Sequence, residues 1–237
     1  DTRPGQPVAF PAVKGPLPAG ATLEVPIAGQ FGVPADAAAV ALNVTAAQPA
    51  GGGHLTVYPC GQVQPLASTL NYTTGQVVPN AAISAVGDGG KVCVTTSTAT
   101  DVIVDLDGWF SGPPGFNSQV PVRAADTRLA TPVAFPTVKA PLAAGSTLEV
   151  PIAGQFGVPA DAGSASLNVT AVQPVGAGHL TVYPCGQQLP ATSSLNYGNG
   201  QIVANAALAA LGAGGRVCVT SSNSTEVLVD LNGWFPR

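Results

Sequence analysis

His54 and His179 are the two histidines of this chain, and imidazole is the side chain that most readily exchanges protons near neutral pH. A Ser-His-Asp hydrolase would need an exposed serine within hydrogen-bond reach of such a ring and an acid to orient it. Serine and aspartate are present, but the G-x-S-x-G nucleophile elbow does not occur. Each histidine instead follows a Gly-containing turn and opens a His-Leu-Thr-Val-Tyr run, the place of a strand-face residue. The chain has 12 acidic and 8 basic residues in 237, too few to give each half a full set of acids and bases. No catalysis and no cofactor are expected.

The four cysteines offer different chemistry. Cys60 and Cys93 recur as Cys185 and Cys218, which suits one disulfide inside each half, although pairing between halves is also conceivable. Zinc would need four convergent ligands, and each half has two Cys and one His at unsuitable spacing. No C-x-x-C redox motif occurs. Asp105 and Asp107 alternate along one strand face and could give oxygens to Ca²⁺, but the second half has Asp230 and Asn232 there, and the D-x-[DN]-x-[DN]-G loop is absent. A structural role at a strand end is preferred, and no metal is expected.

Asp-Thr-Arg occurs at Asp1–Arg3 and again at Asp126–Arg128. In so uncharged a chain these arginines are expected to be internal partners, Arg3 for Asp105 and Arg128 for Asp230, because a guanidinium grips a carboxylate with two parallel bonds. Tyr58, Tyr72 and Trp109, matched by Tyr183, Tyr197 and Trp234, could form a sugar-stacking platform in each half; alternatively, each Trp plugs the base of a sandwich. Four Asn-x-Thr sequons, at Asn43, Asn71, Asn168 and Asn223, are expected by chance in a chain of this composition.

Eight basic residues against a net charge of −4 leave no basic stripe, so nucleic acid is not an expected partner. No run of 18 apolar residues exists to span a membrane. With 29 Gly and 23 Pro, turns must be frequent and long helices rare. Few charges and many apolar residues argue against disorder. An even set of cysteines in repeating positions suits an oxidising exterior, so the protein is expected to be secreted. The sequence has no Met and opens at Asp1, which suggests a processed, trimmed or incomplete chain.

These elements are positioned by a duplication. Shifted by 125 residues, the sequence matches itself without a gap, and 76 of 112 aligned pairs are identical. Residues 23–34 recur unchanged at 148–159, and Gly108-Trp109-Phe110 recurs at Gly233-Trp234-Phe235. Two domains follow, 1–110 and 120–237, joined by a Pro/Gly linker at 111–119. Before Asp126 stands Val120-Pro121-Val122-Arg123-Ala124-Ala125, which has no counterpart before Asp1. Either the first copy lacks an edge strand or an upstream segment has been lost, and the second reading is preferred.

Within each copy the apolar pattern has a period of two. Leu23, Val25 and Ile27 share one face, as do Val40, Leu42 and Val44, and Val102, Val104 and Leu106. Turn clusters at 32–36, 49–53, 59–61 and 87–90 separate the runs. Seven or eight short strands per copy predict an all-β chain of two β-sandwich, jelly-roll-like domains, each with one internal disulfide. Residues 81–86 and 206–211 could form a helical turn, but their neighbours favour a strand.

The ordered motifs D-T-R, L-N-V-T, L-T-V-Y-P, S-x-L-N-Y and V-D-L-x-G-W-F resemble a repeat in secreted proteins of actinobacteria, found there as tandem surface modules often attached to cell-wall hydrolases. The resemblance covers essentially all of both copies. It implies an extracellular, non-catalytic module of the cell envelope and transfers no ligand residue. That repeat usually carries an Arg a few residues before D-T-R; here Arg123 fills the place in the second copy alone. The expected function is a structural or adhesive surface protein whose partner is itself, as a homo-polymer, by head-to-tail or strand-completing contacts. The alternative is a bivalent, lectin-like module for carbohydrate or cell-wall glycan.

Overall fold

A computed structural model describes residues 1–6, 10–11, 14–112, 115–129, 131–133, 135–137 and 139–237. The chain divides into two compact units, Asp1–Gly112 with Ser118–Val120, and Pro113–Asn117 with Pro121–Arg237. Strands β1 (Thr22–Pro26), β2 (Ala39–Ala47), β3 (Gly53–Pro59), β4 (Leu70–Tyr72), β5 (Val77–Ala85), β6 (Lys91–Thr96) and β7 (Asp101–Phe110) belong to the first copy. Strand β8 (Asn117–Asp126) precedes β9 (Thr147–Pro151), β10 (Ser164–Val172), β11 (Gly178–Pro184), β12 (Leu195–Tyr197), β13 (Ile202–Ala210), β14 (Arg216–Ser221) and β15 (Glu226–Phe235).

The first unit is a sandwich of a four-stranded sheet, β1-β6-β3-β4, and a three-stranded sheet, β5-β2-β7. Its core is made by the alternation visible in the sequence: Val40, Leu42 and Val44 from β2 meet Leu55 and Val57 from β3 and Val92 and Val94 from β6. The second unit repeats the first sheet as β12-β11-β14-β9, with Leu167, Val169, Leu180, Val219 and Val229 in the matching core. Its other sheet has a fourth member, in the order β13-β10-β15-β8. The strands within these sheets pair antiparallel.

Each last strand carries a bulge at the same place. Ala41 pairs Gly108 and Leu42 pairs Leu106, so Asp107 is the extra residue. In the second unit Ser166 pairs Gly233 and Leu167 pairs Leu231, which makes Asn232 the extra one. The alternating aspartates thus meet an irregularity that shifts the side-chain direction by one residue.

Cys60 is bonded to Cys93, and Cys185 to Cys218, each across 33 residues. Each bridge ties the turn after β3 or β11 to the strand alongside it, β6 or β14. The chain can bring the next turn against it because position 87 is Gly: a Cβ there would lie 2.2 Å from the Cys60 carbonyl oxygen. Gly212 meets Cys185 in the same way, at 2.1 Å.

Of the two segments that could have been helical turns, residues 81–85 are strand in β5 and 206–210 are strand in β13, because they pair with β2 and β10. The expected linker is shorter than its composition suggests. Pro113 and Pro114 lie outside the described residues, and residues 117–119 are not spacer but the start of β8. Peptide groups beside an open strand edge gain more from ladder bonds than from solvation as a loop. Among the described residues no helix is long and apolar enough to cross a membrane.

A 33-residue separation fixes the size of the disulfide effect. Replacing Cys60 and Cys93 together by Ser is expected to cost the first unit about 4 kcal/mol, and the Cys185/Cys218 pair the same in the second. Chemical denaturation of both double variants measures it.

Candidate functional site

The Asp-Thr-Arg turn builds the same polar anchor in each unit. In the first, Asp1 Oδ1 accepts from the Arg3 backbone N–H at 3.0 Å and from Arg3 Nε at 3.1 Å, while Arg3 Nη2 donates to Oδ2 at 2.8 Å. Thr2 ties this turn to β7. Its N–H donates to the Val102 carbonyl at 3.0 Å, and its hydroxyl accepts from the Val102 N–H at 2.9 Å and donates to Asp101 at 2.9 Å. Lys14 Nζ donates to the Asp1 carbonyl at 2.6 Å. Asp126, Thr127, Arg128 and Lys139 repeat every one of these roles against Val227 and Glu226.

The second unit adds Arg123 from β8. Its Nη1 donates to Asp126 Oδ2 at 3.0 Å, its Nη2 donates to Asp230 Oδ2 at 3.2 Å, and its Nε donates to Asp230 Oδ1. One guanidinium therefore bridges two carboxylates, and the side chains of all three residues are buried. The expected pairs, Arg3 with Asp105 and Arg128 with Asp230, do not form. The structure pairs each of these arginines with the aspartate two residues before it, because the tight turn delivers that carboxylate at almost no loop cost. Asp230 goes to Arg123, and Asp105 is exposed. The sequence reading misses Arg123, Lys14, Lys139 and the two threonines as site residues. Their signal is present in it: Thr and Lys recur in both copies of a chain with few charges.

The two carboxylates respond differently to this setting. Burial pushes Asp230 up to about 6, against the pull of Arg123. Burial also pushes Asp126 upward, but the hydrogen bonds and charge of Arg128, with the charge of Arg123, outweigh it and hold Asp126 below its ordinary value.

The aromatic platform does not form. Tyr58, Tyr72 and Tyr197 are buried, because their rings complete the sheets and their hydroxyls find protein partners. Tyr58 contacts Thr95 Oγ1 at 3.1 Å, Tyr72 contacts Thr96 Oγ1 at 2.6 Å, and Tyr197 contacts Ser221 Oγ at 2.8 Å. Tyr183 is half-buried, its hydroxyl 3.1 Å from Thr220 Oγ1. Trp234 packs half-buried against the core of its unit, as the plug reading expects, whereas Trp109 is 46% exposed. The tyrosines are thus not gathered with a tryptophan on an open face.

His54 is half-buried, and burial lowers its pKa. Its backbone N–H donates to Ser97 Oγ at 2.8 Å. His179 is exposed and borders a cleft of about 460 Å³ in the second unit, together with Thr181, Thr192, Ser193, Asn196 and Ser222. The cleft is rich in hydroxyls and has Leu189 and Pro190 on its apolar side.

No family model matches the chain, and no curated protein does. Among solved structures, a mutant of the salicylate 1,2-dioxygenase from Pseudoaminobacter salicylatoxidans aligns over 95% of this chain and 75% of its own, at 9% identity and a TM-score of 0.20. A superposition that loose carries no argument about fold or activity.

Two outcomes follow from the Arg123 bridge. Arg123→Met leaves two carboxylates buried with one partner fewer, and is expected to destabilise the second unit by about 3–5 kcal/mol in urea titration. The pH dependence follows from the two shifts. Asp230 binds its proton more tightly folded than unfolded, so its contribution is fully present below about pH 4 and is lost as pH rises through about 6, a decline on the order of 2–3 kcal/mol. Asp126 has the opposite sign and loses its contribution as pH falls below about 4. Melting curves from about pH 3 to 8 test this, and Asp230→Asn should remove the decline between about pH 4 and 6.

Proposed function

We propose that this is a non-catalytic, secreted structural repeat protein of the cell surface, built to join its units into a larger assembly. The observation that carries the reading is the use of the charged and aromatic side chains. Asp1, Arg3, Asp126, Arg128, Arg123 and Asp230 hold turns to strands, and the tyrosine hydroxyls brace neighbouring strands. A disulfide in each unit supports an extracellular setting. The resemblance to actinobacterial surface repeats supports the envelope as its place.

The test is assembly. The purified chain, examined by sedimentation velocity and negative-stain electron microscopy across a concentration series, is expected to form end-to-end oligomers. A strictly monomeric chain at every concentration would overturn the reading.

The hydroxyl-rich cleft beside His179 favours a second reading, a carbohydrate-binding module, since sugars are held by hydroxyl and amide groups beside an apolar wall. Under that reading the protein is retained on peptidoglycan or a glycan array, and Asn196→Ala with Ser193→Ala weakens retention at least about tenfold. Retention untouched by the double variant would exclude the cleft.

A further inference from the structure

The loop that walls the cleft beside His179 is a place where the two copies part. Residues 22–37 recur unchanged at 147–162, and Pro59-Cys60-Gly61-Gln62 recurs at Pro184-Cys185-Gly186-Gln187. In the loop that follows, Val63, Gln64, Leu66, Ala67 and Thr69 give way to Gln188, Leu189, Ala191, Thr192 and Ser194. The scaffold around this loop is kept while the wall itself is rebuilt.

The rebuilt wall is also the more open one. In the first unit Ala67 is 5% exposed, and Pro65, Ser68, Asn71 and His54 are half-buried. Their counterparts Thr192, Pro190, Ser193, Asn196 and His179 are all exposed. The small apolar side chain of Ala67 gains by packing inward, whereas Thr192 brings a hydroxyl that would lose its water there. In the first unit the polar groups also satisfy each other, since Asn71 Nδ2 donates to Ser68 Oγ at 3.4 Å. In the second, the side chains of Asn196, Ser193 and His179 make no hydrogen bond among the described residues. Ser222 Oγ accepts from the His179 backbone N–H at 2.8 Å and keeps its own O–H to donate. Thr181 is committed instead: its hydroxyl donates to the Thr192 carbonyl at 2.7 Å and ties the wall to β11.

The chemistry of this cleft selects its ligand. Its volume of about 460 Å³ is that of a small-molecule site. Among the described residues that line it there is no Asp, Glu, Lys or Arg, so an ionic ligand would give up water without gaining a counter-charge. A sugar ring meets the remaining features. Its hydroxyls both donate and accept, as the amide and hydroxyl side chains here do, and its C–H face can lie against Leu189 and Pro190.

We infer that the second unit alone carries a binding site for an uncharged saccharide, held by Asn196, Ser193, His179 and Ser222 against Leu189 and Pro190, and that the matching surface of the first unit is closed. This rests on the carbohydrate reading and narrows it, from a bivalent module to one site per chain with a neutral ligand.

The experiment applies the whole 237-residue chain to an array of neutral oligosaccharides and their uronic acid and sialic acid counterparts. Retention is expected on neutral members. Native mass spectrometry with the neutral oligosaccharide best retained should then count one bound per chain. Asn196→Ala should weaken binding about fivefold or more, and Asn71→Ala should leave it unchanged. Leu189→Gln with Thr192→Ala, which restores the residues of the first copy, should abolish binding without lowering the melting temperature. Two bound per chain, a loss of binding on Asn71→Ala, or a preference for acidic members overturns the proposal and leaves the carbohydrate reading standing. So does binding that survives both Asn196→Ala and the Leu189/Thr192 double variant. No retention on any member sinks the proposal and the carbohydrate reading together.

Discussion

A carboxylate buried at the start of each repeat is the constraint on which the last strand depends. Asp1 and Asp126 fold back onto the arginine two residues later, and this closes a turn whose threonine can then grip the backbone of β7 or β15. A lysine 13 residues on reaches back to the carbonyl of the same aspartate. Four side chains thereby tie the loop before the first strand to the strand that ends the unit. Of these, the arginine holds the carboxylate itself, while the lysine holds backbone carbonyls and the threonine holds the last strand.

The same anchor decides how each sheet ends. An antiparallel sheet has two edges with unmet peptide groups, and the second unit closes one of them with β8. Arg123 converts the closure into a specific one, since its fork must find Asp230 and Asp126 together. Desolvating this group makes the bridge a matter of register more than of stability.

The side chains that suggested chemistry in the sequence are drawn into this architecture. The tyrosines that could stack sugars brace strands with their hydroxyls, and Asp107 is the extra residue of a bulge, unpaired across the ladder. A carbohydrate role, if the cleft beside His179 carries one, falls to hydroxyls and an amide and not to aromatic rings.

The duplication, the strand runs and the cysteine positions were legible in the sequence because each depends on local or repeated information. A period of two reports one buried face, and a 125-residue shift that returns Cys60 and Cys93 to Cys185 and Cys218 implies one bridge per copy. The partners of the charges were not legible. Arg3 and Arg128 looked equally able to reach a strand aspartate or their own turn, and turn geometry chose the nearer one. Arg123 finds Asp230 across 107 residues because β8 lies along β15, a neighbour relation set by sheet edges and not by sequence distance. For the same reason residues 117–119 read as linker and became strand: their pattern is weak, and the open edge beside them supplied the bonds.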